Sequence, residues 1–333
     1  MDAYDLVTRN VAEVVTEAEL RTVLADPAGK RAYVGYEPSG VLHLGHMLAT
    51  NTLIDLQDVG IEVVVLLADV HAYLNGKGSF EEIHAVADRM RDQFVAYGLD
   101  PDQAEFVLGS SFQLEEDYVL DLHHLAVETS LNRAQRAMAE LQGDETASVS
   151  HVVYPLMQAL DIEYLDLDVA VGGMDQRKVH MLHREELPAL GYDARPCIHT
   201  PIIADLSTGV GKMSSSSGVT ISMEDDTASL QEKVEAAYCP PTRDPEPDDA
   251  GNDRENPVLQ LFRYHVFPRF EAVTVERPAE YGGDVTYDDY EALATALEAG
   301  DLHPADAKQA LAAYLDDLIA PGREALHRHR TDA

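Results

Sequence analysis

The 333-residue sequence contains no tryptophan and only two cysteines, Cys197 and Cys239. No CxxC or histidine-rich spacing surrounds either cysteine, so we expect both to be structural and predict no protein-bound metal. No apolar run approaches the ~20 residues that are needed to cross a bilayer. The first ten residues are acidic and mixed, where a signal peptide would be basic and then apolar. These absences predict a cytoplasmic protein with no membrane partner.

Basic residues are also scarce, because 24 Lys and Arg stand against 60 Asp and Glu, giving a formal net charge of -36. Such an excess repels itself and any polyanion at ordinary salt. The apolar patterning is ordinary, so we expect the acidic residues to be spread over the surface. In molar salt the Debye length shrinks to about 3 Å and this repulsion is screened. The charge therefore predicts a halophilic protein.

Hydrophobic residues make up 45% of the chain, which is enough to bury a substantial core. Predicted strands and helices alternate along the first two thirds of the sequence. The strands are predicted at 31–36, 62–69, 105–108 and 169–171, and the helices at about 43–57, 79–98, 117–141 and 154–165. The strand at 62–69 contains an unbroken apolar run, which is typical of a strand buried on both faces of a parallel sheet. The pattern predicts an α/β fold with a Rossmann-like, doubly wound parallel sheet.

Two capping boxes mark predicted helix starts, Thr16 with Glu19 and Ser79 with Glu82. Residues 240–256 are rich in proline and acidic residues, which predicts a linker or mobile loop. The chain beyond this segment is mostly helical in pattern. We therefore predict two domains, a Rossmann-like domain over 1–222 and a smaller, mainly helical carboxy-terminal domain over 223–333.

Residues 43–46 read HLGH where the first predicted strand turns into its helix, the place at which α/β sheets bind ligands. A helix start offers free backbone N–H groups and a positive dipole end to phosphate. His43 and His46 lie one turn apart and can donate to the same phosphates, and Gly45 would let an adenine ring approach the backbone. Taken alone the motif is weak, because histidines at helix starts are common.

A second signature, KMSSS, occupies residues 212–216 and follows Gly209 and Gly211 in a predicted loop. A mobile cation with hydroxyl and amide donors suits a charge that develops only in a transition state, here on an α-phosphate under attack by a carboxylate. A flexible, solvated linker is the alternative for such a serine run.

The two signatures in this order resemble those of the class I aminoacyl-tRNA synthetases. The resemblance implies that His43, His46, Lys212 and Ser215 are catalytic and that Mg²⁺ accompanies ATP. Ser217 stands where close relatives often carry a second lysine, which leaves Lys212 as the only cation within the loop. The ATP contacts implied by the resemblance are Gly45, His43, His46, Lys212, Met213, Ser214, Ser215 and Ser216.

Several further segments resemble the tyrosine-specific class I synthetases of archaeal and eukaryotic type, over nearly the whole chain. They read YVGYEPSGVLHLGH, LLADVHAYLN, YPLMQALDIEYL, VAVGGMDQRKVHML, GKMSSSSG and RPAEYGGD. The resemblance implies that Tyr33 and Asp161 grip the phenolic hydroxyl of L-tyrosine. Phenylalanine has no hydroxyl and would leave both buried groups without a hydrogen-bond partner. Tyrosine-specific synthetases are themselves the known example of this discrimination between tyrosine and phenylalanine. The remaining implied tyrosine contacts are Glu37, Ala68, His71, Tyr154, Gln158 and Gln176.

The same resemblance implies that tRNA(Tyr) is the second substrate and that the protein is a homodimer, with the helices near 117–141 at the contact. It places Arg136 and Lys178 at the first base pair of the acceptor stem, and Arg133 belongs to the same small basic group. In the carboxy-terminal domain, Tyr281, His303 and Asp306 match residues that read the first anticodon base, by ring stacking and base-edge contacts.

Three alternatives remain at this point. The tryptophan-specific enzymes share the fold and both signatures, although Tyr33 with Asp161 argues against them. A nucleotidyltransferase also carries HxGH on this fold, but it has no need for the carboxy-terminal helices. A regulatory module derived from a synthetase would be expected to lose signature residues, and here both signatures persist.

Overall fold

The computed structural model describes residues 1–142, 148–213 and 219–332. The chain forms two compact units, the first made of residues 1–40 and 49–201 and the second of residues 41–48 and 202–333. The HLGH signature and Lys212 therefore belong to the same unit. The predicted domain boundary after residue 222 stays a prediction. Among the described residues, the helices are too short or too polar to span a membrane.

A six-stranded sheet forms the centre of the first unit. Its strands are β1 (Glu13–Val15), β2 (Arg31–Tyr36), β3 (Glu62–Leu67), β4 (Ala104–Leu108), β5 (Val169–Gly173) and β6 (Cys197–Thr200). Their spatial order is β1-β6-β5-β2-β3-β4, and all neighbours are parallel except β1, which runs antiparallel to β6. The predicted α/β fold with a parallel-dominated sheet is confirmed.

Helices connect these strands. They are α1 (Ala3–Thr8), α2 (Glu17–Ala25), α3 (Leu44–Asp58), α4 (Asp69–Leu74), α5 (Phe80–Tyr97), α6 (Glu116–Glu128), α7 (Leu131–Gln142), α8 (Val149–Tyr164) and α9 (Arg177–Glu186). In the sheet, Tyr33 on β2 lies between Val64 on β3 and Ala170 on β5. Because parallel strands end at one edge, the residues just after β2, β3 and β5 are brought together there.

Sequence patterns missed several elements of this unit. Strands β1 and β6 were not predicted, because each is too short to show a periodicity of its own. The single helix predicted at 117–141 is two helices, α6 and α7. Ser79 and Glu82 form a complete capping box at α5, whereas the Thr16 side chain makes no capping hydrogen bond at α2.

The second unit is mainly helical and also contains two small antiparallel sheets. Its helices are α10 (Thr227–Glu235), α11 (Pro257–Leu261), α12 (Tyr290–Ala299) and α13 (Pro304–Asp332), with a π-helical turn at Phe262–Val266. The strands pair as β7 (Glu246–Pro247) with β8 (Asp253–Arg254) and as β9 (Val273–Val275) with β10 (Val285–Tyr287). The proline-rich segment at 240–256 thus contains a short hairpin.

Candidate active site

The HLGH segment forms a turn into α3 that is held by the chain following the second signature. Leu44 donates its backbone N–H to the carbonyl of Ile221 at 2.9 Å. His43 pairs with Ser222 in an isolated antiparallel bridge. Backbone hydrogen bonds therefore fix the histidine turn against the segment that leaves the KMSSS loop, so the two signatures are structurally joined within the second unit.

The two imidazoles of this turn are uncharged at neutral pH. The rings of His43 and His46 stack with centroids 3.7 Å apart. Burial and then the charge of Lys212 lower the pKa of His43 to about 4. The pKa of His46 is also held well below its ordinary value, by burial first and then by His43 and Lys212. Each neutral ring offers one N–H donor, so the turn presents hydrogen bonds, while the positive charge comes from Lys212.

Gly45 lies in a narrow space, where a side chain would crowd the His43 ring. A Cβ atom at this position would stand 3.0 Å from the His43 ring and 3.5 Å from the carbonyl oxygen of Met213. Met213 is buried, and its N–H donates to the carbonyl of Ile203 at 2.7 Å. The backbone that follows Lys212 thus passes close to the histidine turn.

Lys212 is exposed, and its charge reaches both imidazoles, since it contributes to the lowered pKa of each. The structure thereby brings together His43, Gly45, His46, Lys212 and Met213. The other residues predicted for the ATP site, Ser214, Ser215 and Ser216, lie outside the described residues.

The first unit contains a buried carboxylate that is bonded to a buried tyrosine. Asp161 on α8 and Tyr33 on β2 have exposed fractions of 0% and 1%. Oδ1 of Asp161 accepts hydrogen bonds from Nε2 of Gln113 and from the hydroxyl of Tyr118, both at 2.8 Å. Oδ2 of the same carboxylate is buried and has no hydrogen-bond partner among the described residues. One acceptor atom is therefore available for a ligand.

The protonation of this pair follows from its burial. Burial raises the pKa of Asp161 to about 7, and the hydrogen bonds from Gln113 and Tyr118 oppose the rise. Burial, and then the neighbouring Asp161, hold the pKa of Tyr33 well above its ordinary value. Tyr33 therefore keeps its proton, and the Asp161 carboxylate titrates near neutral pH.

Gln113 and Tyr118 bond to the candidate residue Asp161, and the sequence reasoning missed both. Tyr118 is fully buried on α6, as is Leu125 on the same helix. A buried tyrosine hydroxyl needs a partner, and this was the available signal, although it does not say which partner. Gln113 gave no signal, because it lies in an irregular segment whose path only the folded chain decides.

Tyr154 and His71 face each other in the same unit, with ring centroids 4.4 Å apart in an edge arrangement. Burial lowers the pKa of His71 to about 4, so this ring is neutral. Neither ring nitrogen of His71 makes a well-formed hydrogen bond to a described residue, although the Tyr154 backbone lies near enough to oppose the lowered pKa. Burial and then the charge of Glu37 raise the pKa of Tyr154, and Glu37 accepts a hydrogen bond from the amide of Asn75.

Ala68 follows β3 and belongs to the same apolar cluster as Tyr33 and Ile162. Its N–H donates to the carbonyl of Tyr36 at 2.8 Å, which continues the pairing of the two central strands by one residue. This small side chain lies where β3 turns into α4.

Gln158 and Gln176 are joined by a hydrogen bond of 2.7 Å from Nε2 of Gln158 to Oε1 of Gln176. Oε1 of Gln158 is buried and has no hydrogen-bond partner among the described residues. Gly172 at the end of β5 makes room for Gln176, since a Cβ there would stand 3.0 Å from the Gln176 Cβ. Six of the eight predicted tyrosine contacts thus lie in three pairs within the first unit: Tyr33 with Asp161, His71 with Tyr154, and Gln158 with Gln176.

The predicted tRNA contacts lie on the surface. Arg136 and Lys178 are exposed on α7 and α9, while Arg133 is engaged with Glu185 at 2.6 Å and Glu186 at 3.2 Å. In the second unit, Tyr281 is 69% exposed. The exposed His303 accepts a hydrogen bond from Ala305, and the half-buried Asp306 lies in the first turn of α13.

Comparison with known proteins identifies a family with the same sequence pattern and fold. The family described as tRNA synthetases class I (W and Y) matches residues 28–320. A tyrosine--tRNA ligase from Halobacterium salinarum is 71% identical over 330 residues, 99% of each chain. The crystal structure of a tyrosyl-tRNA synthetase from Archaeoglobus fulgidus, complexed with L-tyrosine, superimposes with a TM-score of 0.90 at 51% identity, covering 97% of this chain and 98% of that one.

A tryptophanyl-tRNA synthetase from Giardia lamblia shares the fold, with a TM-score of 0.72 at 18% identity over 97% of this chain and 88% of that one. The family match extends over most of the sequence and includes both signatures and the buried Tyr33 and Asp161. The resemblance inferred from the motifs is therefore confirmed. The chain belongs to the class I tRNA synthetases of the tryptophan and tyrosine group.

Proposed function

We propose that the protein is a tyrosine--tRNA ligase. It activates L-tyrosine with ATP to tyrosyl-adenylate and pyrophosphate, and then transfers tyrosine to the 3′ end of tRNA(Tyr). The observation that carries this proposal is the buried Oδ2 of Asp161, an acceptor without a described partner on a carboxylate whose charge, after burial, raises the pKa of Tyr33. The relatives at 71% and 51% identity are tyrosine enzymes, which supports the same choice over tryptophan.

The phenol of tyrosine completes this pocket chemically. Its hydroxyl donates to Oδ2 of Asp161 and accepts from Tyr33, so each buried polar group gains a partner. Phenylalanine would leave both groups unpaired, and an unpaired buried charge is costly. Gln113 and Tyr118 hold the carboxylate through its other oxygen. They act as positioning residues for the recognition of the hydroxyl.

We assign the other end of the amino acid to Tyr154, Gln158 and Gln176. Two amide side chains joined by one hydrogen bond retain further donors and acceptors, which suits an ammonium and a carboxylate lying side by side. His71, Glu37 and Ala68 line the same pocket. The neutral His71 adds no positive charge that would repel the ammonium of the substrate.

We assign ATP to the histidine turn and Lys212. The neutral His43 and His46 donate hydrogen bonds to phosphate oxygens, and because they are uncharged they do not bind the product too tightly. Lys212 stabilises the charge on the departing pyrophosphate. Met213, Ser214, Ser215 and Ser216 are proposed to complete this site. In the described part of the chain, no group of three or more His, Cys, Asp or Glu side chains is arranged to hold a metal ion. Mg²⁺ is expected to arrive on the phosphates of ATP.

For tRNA(Tyr) we propose contacts through Arg136 and Lys178 on the first unit and through Tyr281, His303 and Asp306 on the second. Arg133 can join them only by leaving Glu185 and Glu186, because its guanidinium is engaged with both. The exposed ring of Tyr281 is available for base stacking.

We also propose a homodimer in the cytoplasm. Leu120, Val127 and Leu131 on α6 and α7 are 52%, 81% and 59% exposed. Exposed apolar side chains on two consecutive helices are typical of a surface that is covered by a partner, and a second copy is the partner that the family resemblance implies. We retain the division into a catalytic domain over 1–222 and an anticodon-recognition domain over 223–333 as part of the proposal.

Pyrophosphate exchange tested with each of the twenty amino acids examines this function directly. We expect ATP–pyrophosphate exchange with tyrosine alone. Asp161→Ala should abolish most of the exchange and leave ATP binding unchanged, because Asp161 is proposed to contact only the amino acid. Exchange driven by tryptophan, or equal loss of ATP binding and tyrosine activation in the variant, would contradict the assignment.

A further inference from the structure

One carboxylate holds the backbone on both sides of the second signature. Oδ1 of Asp205 accepts hydrogen bonds from the backbone N–H and the hydroxyl of Thr208, at 2.9 and 2.8 Å. Oδ2 of Asp205 accepts from the N–H of Val219 at 3.2 Å. We call residues 208–213 the lysine segment, since they lead from this anchor to Lys212.

Arg254, on the second strand of the 240–256 hairpin, attaches this hairpin to the lysine segment. Its Nε donates to the carbonyl of Thr208 at 2.9 Å, and its guanidinium lies 3.7 Å from the centroid of the Tyr238 ring. The next residue, Glu255, donates its backbone N–H to the carbonyl of Gly209 at 2.8 Å. Two successive carbonyls of the lysine segment are therefore bonded by two successive residues of the hairpin.

Gly209 shows how closely these parts approach. A Cβ at this position would stand 2.5 Å from the carbonyl oxygen of Glu255 and 2.6 Å from the Tyr238 ring, and the φ of Gly209 is +74°. Both the close approach and the left-handed backbone require glycine. The start of the lysine segment thus packs closely against Tyr238 and residues 254–255.

We propose that Arg254 is a positioning residue for Lys212, acting through the carbonyl of Thr208. Arg254 holds the start of the lysine segment so that the ammonium of Lys212 is already directed towards the pyrophosphate that leaves during tyrosine activation. The proposal rests on the proposed function, because it concerns the step in which Lys212 acts. Its two contacts are with a ring and a carbonyl, so they persist in molar salt that would screen an exposed ion pair.

The chain supplies a matched control in Arg243, an arginine of the same hairpin region. Arg243 bonds to Glu298 at 2.9 Å and to Thr295 at 3.1 Å on α12, and it makes an ion pair with Glu291. Arg254→Leu should lower the kcat of tyrosine-dependent pyrophosphate exchange by about tenfold, the effect of one hydrogen bond and one cation–ring contact. The KM for tyrosine should stay within about twofold. Arg243→Leu should change neither constant by more than that.

A double-mutant cycle with Lys212→Met separates positioning from general damage. If Arg254 acts through Lys212, adding Arg254→Leu to Lys212→Met should lower the residual kcat little further. Arg254→Lys should fall between Leu and the wild type, since a lysine cannot stack on Tyr238 and reach Thr208 in the same geometry. Multiplicative losses in the double variant, or equal kcat values for Arg254→Leu and Arg243→Leu, would overturn the proposal.

Hydrogen exchange gives a readout that does not depend on activity. The amides of residues 208–213 should exchange faster in Arg254→Leu than in Arg243→Leu, because only the first change releases the lysine segment. Unchanged exchange there would also reject the role of Arg254. An inactive wild type with tyrosine would instead reject the proposed function, while the exchange comparison would still decide whether Arg254 holds the segment.

Discussion

Oδ2 of Asp161 is a buried carboxylate oxygen that no described residue satisfies. Such an atom costs free energy until a ligand or water completes it. Oε1 of Gln158 is also buried without a hydrogen-bond partner among the described residues, and the ring nitrogens of His71 make no well-formed hydrogen bond there. All three side chains belong to the predicted tyrosine pocket. At the residue scale, three of the side chains predicted to contact tyrosine therefore carry buried polar atoms that a ligand could satisfy.

The pKa of Asp161 makes tyrosine binding depend on pH. The phenol donates best to the ionised carboxylate, and the carboxylate is protonated below about 7. Calorimetry should therefore show tyrosine affinity falling by up to tenfold for each pH unit below about 7. Asp161→Asn should bind tyrosine weakly and without this dependence. A pH-independent affinity in the wild type would contradict the assigned role.

Asp161 also makes the stability of the unliganded protein depend on pH. A higher pH favours tyrosine binding but lowers this stability. The pKa of Asp161 is raised from an ordinary 3.8 to about 7 by folding, so the folded state holds the proton more tightly than the unfolded chain. The free energy of unfolding should then fall as the pH rises through this window and stay constant above it. Asp161→Asn should remove this contribution, as urea titrations across the window will show.

At the scale of elements, the end of β5 decides where Gln176 stands. A Cβ on Gly172 would lie 3.0 and 3.1 Å from Gln176 and 3.1 Å from the ring of His180. Both neighbours would have to move by a few tenths of an ångström. The glycine at this strand end thus sets the distance between β5 and the short helical turn that carries Gln176.

Gly172→Ala should therefore raise the KM for tyrosine by about three- to tenfold, because the displaced Gln176 loses alignment with Gln158. The affinity for ATP should not change. Ser79→Ala is a suitable control, since removing the α5 capping box costs about 1 kcal/mol of stability without touching the pocket. A raised KM in Ser79→Ala, or an unchanged KM in Gly172→Ala, would show that this strand end does not position the substrate.

At the scale of the whole molecule, the net charge of -36 opposes the compact state. The chain has 24 basic residues for 60 acidic ones, so most acidic side chains lack a basic partner. Only counterions can reduce the repulsion between these side chains. The relatives from Halobacterium salinarum and Halorubrum lacusprofundi, at 71% and 67% identity, agree with the halophilic character predicted from the charge.

The melting temperature should accordingly rise as KCl increases from low to molar concentration. Each kcal/mol of stability that screening restores should raise the melting temperature by about 1–2 °C for a chain of this size. Scanning calorimetry in KCl, with an uncharged osmolyte as a control for general solvent effects, measures this increase. A melting temperature independent of KCl would contradict the halophilic interpretation.

The sequence by itself determined the α/β class, the central strands, both signatures and the family, because apolar periodicity and short motifs are local properties of the chain. It also placed Tyr33 and Asp161, through the motifs that surround them. It did not reveal the edge strands β1 and β6, whose short lengths carry no period. The division of 117–141 into two helices was missed because the break at Thr129 and Ser130 interrupts an otherwise continuous apolar pattern.

Only the tertiary structure decided which atoms meet across long separations in the chain. The bonds from Gln113 and Tyr118 to Asp161 join α8 to residues more than forty positions earlier, and the bond from Arg254 to Thr208 joins the hairpin to the lysine segment. The raised pKa of Asp161 and the neutral His43 depend on how completely neighbouring elements exclude water. Burial and pairing of this kind result from packing between segments that are distant in the chain. A local sequence pattern therefore does not predict them.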